Sequence, residues 1–303
     1  MTRSSLRVLV VGAGYIAGHV GRRLTELGHT AILSSRRGPV TPESRGLDWL
    51  PVDVGERRSV HALVELARPD ALVVAHGPSD ITWCETNPGR AAAVHRGGAT
   101  YLAEALEGRR ALLVSTDNVF PGRKDSCGES EPTEPANAYG RAKLAAEETL
   151  LATGNALALR VSLVYGWDRA GLRPNFFTSC ALKLRRAEPV AVPHDHWNSP
   201  VLVDDVAAWT AALLASDHRG IVHLGGPRRL SRVAWARHIA EGYGVDPGLV
   251  TPAPRQSTGY ACRPRNACLH SERAAGIPEL EELAPMDVLK ASIDLIATGE
   301  DPP

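Results

Sequence analysis

Hydrophobic positions along this chain fall in short unbroken runs rather than in alternation. The clearest are 6–11 (LRVLVV), 30–35 (TAILSS), 71–77 (ALVVAHG), 111–116 (ALLVST) and 156–166 (ALALRVSLVYG), with a shorter one at 48–53 (DWLPVD). Strands buried on both faces need such continuity, so the pattern predicts a parallel sheet covered by helices. Between the runs, apolar residues recur every three or four positions. Ile16, Val20, Leu24 and Leu27 form one such stripe, with Gly28 placed as its C-terminal cap. Strand, helix and strand joined by short loops predict an α/β fold, a Rossmann-type doubly wound parallel sheet.

After Gly166 the rhythm loosens. Segments 167–175 (WDRAGLRPN), 192–200 (VPHDHWNSP) and 252–266 (PAPRQSTGYACRPRN) are rich in proline, arginine and turn formers. They are expected to be loops of a smaller α/β cap over the carboxyl edge of the sheet, where open α/β sheets bind ligands. The division expected is 1–166 for a cofactor-binding domain and 167–303 mainly for a substrate-binding cap, with the helix and strand around 203–224 returning to the first.

Composition narrows the partners. The 303 residues suffice for a sizeable core, and 44% hydrophobic with 22% charged residues is ordinary for a soluble protein. The 34 basic and 34 acidic side chains cancel, so no electrostatic footprint for nucleic acid or anionic lipid is visible, and a small-molecule partner is expected. Cys84, Cys127, Cys180, Cys262 and Cys268 are odd in number and form no C-x-x-C pair, which points away from a disulfide framework and toward the cytoplasm. Arg3 and Arg7 before an apolar run imitate a signal peptide, but the run breaks at Gly12 and reads as the first strand. His194, Asp195 and His196 read as a locally hydrogen-bonded loop, and no metal is expected.

GAGYIAG follows the first run and opens the first helix. Gly12 and Gly14, with Ala17 or Gly18 as the third small position, approximate G-x-G-x-x-G, which lets backbone amides and a helix N-terminus approach a pyrophosphate. The second run ends in Ser34 and Ser35, followed by Arg36 and Arg37. A carboxylate there would accept ribose hydroxyls, and two guanidiniums in its place favour NADP(H) over NAD(H). Asp53 ends the third run, placed either to meet the adenine edge or to cap the next helix.

In PANAYGRAKLAAEETL (135–150), Tyr139 and Lys143 stand four apart and so share one helix face. An adjacent ammonium favours the phenolate and suits the tyrosine to exchange a proton with a carbonyl or alcohol. Thr116, at the end of the fifth run, offers a hydroxyl that can donate to the same oxygen.

GAGYIAG, STDNVFPG, YGRAK, LRVSLVYG and RPRNACLHSERA together resemble the extended short-chain dehydrogenase/reductase superfamily, and within it the dTDP-4-dehydrorhamnose reductase group, over nearly the whole chain. The resemblance implies that Thr116 binds the reacting oxygen, Tyr139 exchanges the proton, and Lys143 holds the cofactor ribose. It implies NADP(H) along Gly12 to Gly18, with Tyr15, Ile16, Ser35, Arg36, Arg37, Asp53 and Val54 in contact and Ala75, His76 and Gly77 beside the nicotinamide. The implied activity is NADPH-dependent reduction of the 4-keto group of a nucleotide-activated deoxysugar, with His76, Thr116, Asp117, Asn175, His196 and Arg263 facing substrate and Asn266 in the same late segment. A homodimer stays open, because helices flanking a sheet can be dimer faces without any distinctive composition.

The departures are specific. His95 stands where relatives carry an asparagine of the proton relay, His76 and Pro78 replace small and polar residues, and Tyr15 replaces a frequent glycine. Asp117 and Asn118 follow Thr116 where the 4,6-dehydratases have an Asp-Glu pair, which favours a reductase. The rival readings are an epimerase or a ketoreductase on a non-sugar intermediate, and a non-catalytic NADP-binding subunit such as the regulatory subunits of methionine adenosyltransferase, which resemble the same group.

Overall fold

In the computed structural model, which describes residues 5–39, 41–171 and 174–298, each predicted run contributes a strand. They are β1 (Arg7–Val11), β2 (Thr30–Ser35), β3 (Asp48–Pro51), β4 (Ala71–Val74), β5 (Arg110–Thr116) and β6 (Ala156–Val161). The long run 156–166 divides after β6, and its end forms β7 (Val164–Tyr165) outside the main sheet. Short strands follow: β8 (Val190–Pro193), β9 (Trp197–Asn198), β10 (Val201–Leu202), β11 (Gly220–Leu224), β12 (Leu230–Ser231), β13 (Val250–Ala253) and β14 (Asn266–Ala267).

The main sheet has seven strands in the order β11-β6-β5-β4-β1-β2-β3, and every pairing in it is parallel. The winding reverses between β1 and β4, which opens a crevice at their carboxyl ends. Alternate residues of β1 serve opposite layers. Val8 and Val10 pack under α1 (Tyr15–Glu26), which supplies Val20 and Leu24, and under the helix 203–215. Leu9 and Val11 pack on the other side beneath α2 (Arg57–Ala67), the helix 98–105 and the helix 138–151, which supply Leu63, Leu102 and Leu150. Leu27 departs from the predicted stripe. It is the C-cap of α1 and is 49% exposed, because the helix has already turned away from the sheet there.

The remaining helices are α3 (Ile81–Thr86), α4 (Pro88–Ala92), α5 (Gly98–Ala105), α6 (Ala138–Leu151), α7 (Phe176–Leu184), α8 (Val203–Ala215), α9 (Arg232–Gly242) and α10 (Val288–Ala297). A second core joins α7, α9 and α10 through Phe177, Trp235, Ile239 and Val288. Three small sheets, β10-β7, β12-β9-β14 and β13-β8, lie around it. Of the predicted loop 167–175, residues 172 and 173 lie outside the described residues, as does Arg3 at the start of the chain. Among the described residues no helix is long and apolar enough to cross a membrane, no group of three or more His, Cys, Asp or Glu could hold a metal ion, and the five cysteines are unbridged.

Candidate active site

Helix α6 carries Tyr139 and Lys143, and its first turn is tied to the end of β5. Asn137 caps the helix, its Oδ1 accepting from the Gly140 amide at 2.8 Å, while its Nδ2 donates to Asn118 Oδ1 at 2.8 Å. The Ala138 amide donates to Glu85 Oε2 at 2.7 Å. A side chain at position 140 would bring its Cβ to 2.0 Å from the Asn118 carbonyl oxygen, so the glycine of YGRAK is what lets α6 approach β5. Thr116 closes β5, and its Oγ1 accepts from the Asn118 amide and Nδ2, both at 3.2 Å. Lys143 is 3% exposed, and its Nζ donates to the Val114 carbonyl at 2.6 Å. Burial lowers its pKa to about 8, with Glu147, one turn further along, opposing the shift.

Beside them lies an unusual turn. Residues 93–97 form a π-helical segment between α4 and α5, a geometry frequent at functional sites, and it carries His95. The His95 ring packs edge-on against Tyr139 with centroids 5.6 Å apart, and its Nε2 is 3.0 Å from the Pro78 carbonyl. His76 stacks 6.2 Å from His95, with its Nε2 3.0 Å from the Val94 carbonyl. Burial, reinforced by the Lys143 charge, pulls His76 down to about 4 and His95 to about 3. Both imidazoles are therefore neutral at physiological pH, so the histidine that stands in the asparagine's place does not titrate there.

A cavity of about 480 Å³ gathers most of the predicted residues. From the cofactor side come Gly14, Tyr15, Ile16 and Ala17, then Ala75, His76 and Gly77. Gly14 is the N-cap of α1, with no heavy atom within 4 Å of where a Cβ would stand, so backbone amides at this helix start are open to an anion. Gly12 lies behind it, its amide donating to the Ser34 carbonyl at 2.8 Å. Gly18 is turned toward Thr41, whose Oγ1 would lie 2.6 Å from a Cβ there, so the third small residue of the motif at the cavity is Ala17. Thr116, Tyr139 and Lys143 line the same cavity, as do Asp117, Asn175, His196 and Arg263.

Besides Gly12 and Gly18, five predicted cofactor contacts stand apart from this lining. Ser35 accepts from Trp49 Nε1 at 3.1 Å, and Arg36 and Arg37 are exposed at the end of β2. Asp53 Oδ1 accepts from the Gly55 amide at 2.9 Å, so its carboxylate shapes the turn before α2. Val54 packs half-buried against the α2–α5 layer.

The substrate side is built from capping groups and arginines. Asp117 is buried, its Oδ1 accepting from Thr116 Oγ1 at 3.2 Å and Asn118 Nδ2 at 2.8 Å. Burial pushes its pKa up to about 7, against hydrogen bonds from Ser162, Thr116 and Asn118. Asn175 caps α7, accepting from the Thr178 amide at 3.1 Å and donating to the Gly166 carbonyl at 2.7 Å. The loop 194–196 sends its residues apart: His194 is exposed, Asp195 pairs with Arg255 at 3.0 Å, and His196 is 2% exposed. Burial, then the charges of Arg232, Arg255 and Arg263, hold His196 well below the usual imidazole range. Arg263 lies over the Tyr260 ring, 4.7 Å from its centroid. Asn266 accepts from Arg229 Nη2 at 2.6 Å and donates to the Gly122 carbonyl, which joins the late segment to STDNVFPG.

Sequence reading missed Arg232, Asn198 and Ser162 as cavity residues. Arg232 sits among three other arginines in 228–237 and reads as part of a solvated helix face; nothing local marks it as buried. Ser162 reads as strand interior, yet its Oγ donates to the Ala267 carbonyl at 2.7 Å and ties β6 to β14.

Residues 6–285 match the family described as RmlD substrate binding domain. A dTDP-4-keto-6-deoxy-D-glucose reductase from Streptomyces niveus is 32% identical over 279 residues, which cover 89% of this chain and 91% of that protein. Methionine adenosyltransferase 2 subunit beta from Danio rerio is 25% identical over 276 residues, covering 83% of this chain and 84% of that one. The solved structure of dTDP-4-dehydrorhamnose reductase from Bacillus anthracis in complex with NADP has a TM-score of 0.78 at 21% identity, covering 98% of this chain and 100% of that chain. On its fold, its site and this match, the chain belongs to the RmlD substrate binding domain family, in the dTDP-4-dehydrorhamnose reductase-like group of the extended short-chain dehydrogenases/reductases.

Proposed function

We propose that the protein is an NADP(H)-dependent reductase of a ketone, the 4-keto group of a nucleotide-activated deoxysugar. The observation that carries this reading is the presence of Thr116, Tyr139 and Lys143 in one cavity with the open start of α1. The residues fit the cofactor: Gly14 leaves room for a pyrophosphate at a helix N-terminus, and Arg36 and Arg37 at the end of β2 suit a 2′-phosphate. Bound there, NADP(H) supplies the hydride.

The chain's own residues do the rest. Tyr139 gives its phenolic proton to the substrate oxygen, and Thr116 holds that oxygen with its hydroxyl. Lys143, held by the Val114 carbonyl, keeps a positive charge beside the phenol and offers a donor to the cofactor ribose. His95, anchored on Pro78, buttresses the Tyr139 ring in the asparagine's place. The Asn118 amide is occupied by Thr116, Asp117 and Asn137, so it cannot replace the second carboxylate that a dehydratase uses.

We assign residues 1–166 with α8 and β11 to the cofactor-binding unit and the rest of 167–303 to the cap, supported by the pairing of β11 with β6. Cytoplasmic residence and a homodimer belong to the same reading, the latter checked by sedimentation of the purified chain.

Purified protein given NADPH and a dTDP-4-keto-6-deoxysugar is expected to consume NADPH stoichiometrically. Tyr139→Phe should lower that rate by about 10²- to 10⁴-fold while NADPH still binds. Equal turnover by the variant would remove Tyr139 from the mechanism. The second reading, a non-catalytic NADP-binding subunit, draws on the similarity to methionine adenosyltransferase 2 subunit beta together with His95. NADPH binding without turnover of any keto-sugar favours it. Isomerisation without net NADPH loss favours an epimerase.

A further inference from the structure

Thr116 Oγ1 stands at the end of a chain of side-chain amides whose direction the backbone sets. The Gly140 amide can only donate, so the Asn137 oxygen must face it, at 2.8 Å. Asn137 Nδ2 is thereby turned the other way. It donates to Asn118 Oδ1 at 2.8 Å and to the Cys262 carbonyl, which can only accept, at 3.1 Å. With its oxygen engaged by Asn137, Asn118 presents Nδ2 to the end of β5, donating to Asp117 Oδ1 at 2.8 Å and to Thr116 Oγ1 at 3.2 Å. Flipping either amide would set oxygen against oxygen and N–H against N–H. The chain is shielded from solvent, with Asn137 0%, Asn118 7% and Thr116 6% exposed.

A hydroxyl has two lone pairs and one hydrogen. The backbone amide of Asn118 takes the other lone pair of Thr116 Oγ1, also at 3.2 Å, so one residue fills both acceptor positions and the hydrogen is left to donate. Here it points to Asp117 Oδ1 at 3.2 Å. Thr116, Asn118 and Tyr139 line the same cavity, so a carbonyl oxygen brought beside the Tyr139 phenol meets Thr116 as a donor and not as a second set of lone pairs. For a carbonyl under reduction, that is the difference between stabilising the developing oxyanion and repelling it.

We propose that Asn118, its amide oriented by Asn137, is a positioning residue that holds Thr116 as a hydrogen-bond donor toward the reacting oxygen of the substrate. This rests on the reductase reading above. The effect of Asn118 on the rate is then conditional on the Thr116 hydroxyl.

The test is a double-mutant cycle on the reduction of a dTDP-4-keto-6-deoxysugar, with wild type, Asn118→Asp, Thr116→Val and the double variant, each also titrated with NADPH. Asn118→Asp keeps the shape and an oxygen for Asn137, but it puts an acceptor where Nδ2 donated, so the Thr116 hydrogen turns to the carboxylate. It is expected to lower kcat by about tenfold to a hundredfold and to leave NADPH affinity unchanged. In the Thr116→Val background the same substitution should change kcat by less than about threefold, because no hydroxyl is left to orient. The ratio of Asn118→Asp to wild-type rate should rise as pH falls, since a protonated carboxyl donates as the amide did. If Asn118→Asp fails to fold, Asn137→Asp reads the same orientation from one residue further away. It keeps the helix cap, meets Asn118 with an oxygen, flips that amide, and should show the same dependence on Thr116. Losses that multiply in full in the double variant, or wild-type kcat in Asn118→Asp, would overturn the positioning role while leaving the reductase reading intact. A wild type that turns over no keto-sugar would overturn both.

Discussion

At Lys143, burial and chemistry pull in opposite directions. Its folded pKa of about 8 lies below the unfolded value of about 10.4. Between those two values the unfolded chain holds a proton that the folded chain has lost, so stability rises with pH across this window. The proposed role needs the ammonium, so we predict that kcat/KM declines as pH passes about 8 while circular dichroism shows no unfolding. A profile that stays flat through that range would separate Lys143 from the rate. Asp117 runs the other way. Its folded pKa of about 7 lies above the ordinary carboxylate value of 3.8, so its contribution to stability falls as pH rises between them. At Gly140, an added methyl meets backbone and not a movable side chain. Gly140→Ala is expected to cost about 1–3 kcal/mol in urea unfolding and to lower kcat by displacing Tyr139 from Thr116. Wild-type stability and rate in this variant would contradict the close approach of α6 to β5.

Elements are held in register beneath the site by a buried ion pair. Arg160 on β6 meets Glu147 on α6, Nη2 to Oε2 at 2.7 Å, with side chains 3% and 1% exposed. Ser115 Oγ on β5 donates to the same carboxylate, and His223 on β11 stands 3.4 Å from Arg160 Nη1. The pair thus joins β6 to the helix that carries Tyr139 and Lys143, and Ser115 ties in the strand that ends in Thr116. Arg160→Met alone strands the Glu147 carboxylate and is expected to cost about 3–5 kcal/mol, while adding Glu147→Leu should recover most of the loss. Urea titrations of both variants check this, and an equal loss in the two would mean that packing, not charge, sets the cost.

For the whole molecule, the order of the chain and the order of the sheet disagree in one consequential place. β11 and α8 come after the first cap segments, yet β11 is the strand beside β6 and α8 packs beside α1 on the same face of the sheet. A fragment ending at residue 166 therefore leaves the β6 edge unpaired and one apolar face uncovered. We predict that this fragment is insoluble while the full chain folds, as solubility on expression will show; a monomeric, folded fragment would refute the claim. Ligand linkage belongs to the same scale. NADPH is expected to raise the melting temperature more than NADH at equal concentration, and Arg36→Asp with Arg37→Ala should erase the difference. An unchanged difference would take the 2′-phosphate away from these arginines.

The sequence by itself determined the parts that depend on near neighbours. Unbroken apolar runs became parallel strands because burial on both faces is written residue by residue. Tyr139 and Lys143 share a helix face because their spacing alone places them there. The open turn at Gly14 follows from glycine at a strand-helix junction. Tertiary structure alone decided what depends on the other side of a contact. Asp53 carries no local sign of its partner, and only the folded loop brings the Gly55 amide to its Oδ1 while Glu56 takes the N-cap of α2. Gly18 and Ala17 were interchangeable until Thr41 packed against one of them. His194 and His196 differ because β9 pairs with β14 and turns one inward. Arg232 is one arginine among several in its segment, and it became a buried charge only where Phe176 and Tyr260, 56 residues before it and 28 after, closed around it. Long-range packing of this kind leaves no local periodicity to read.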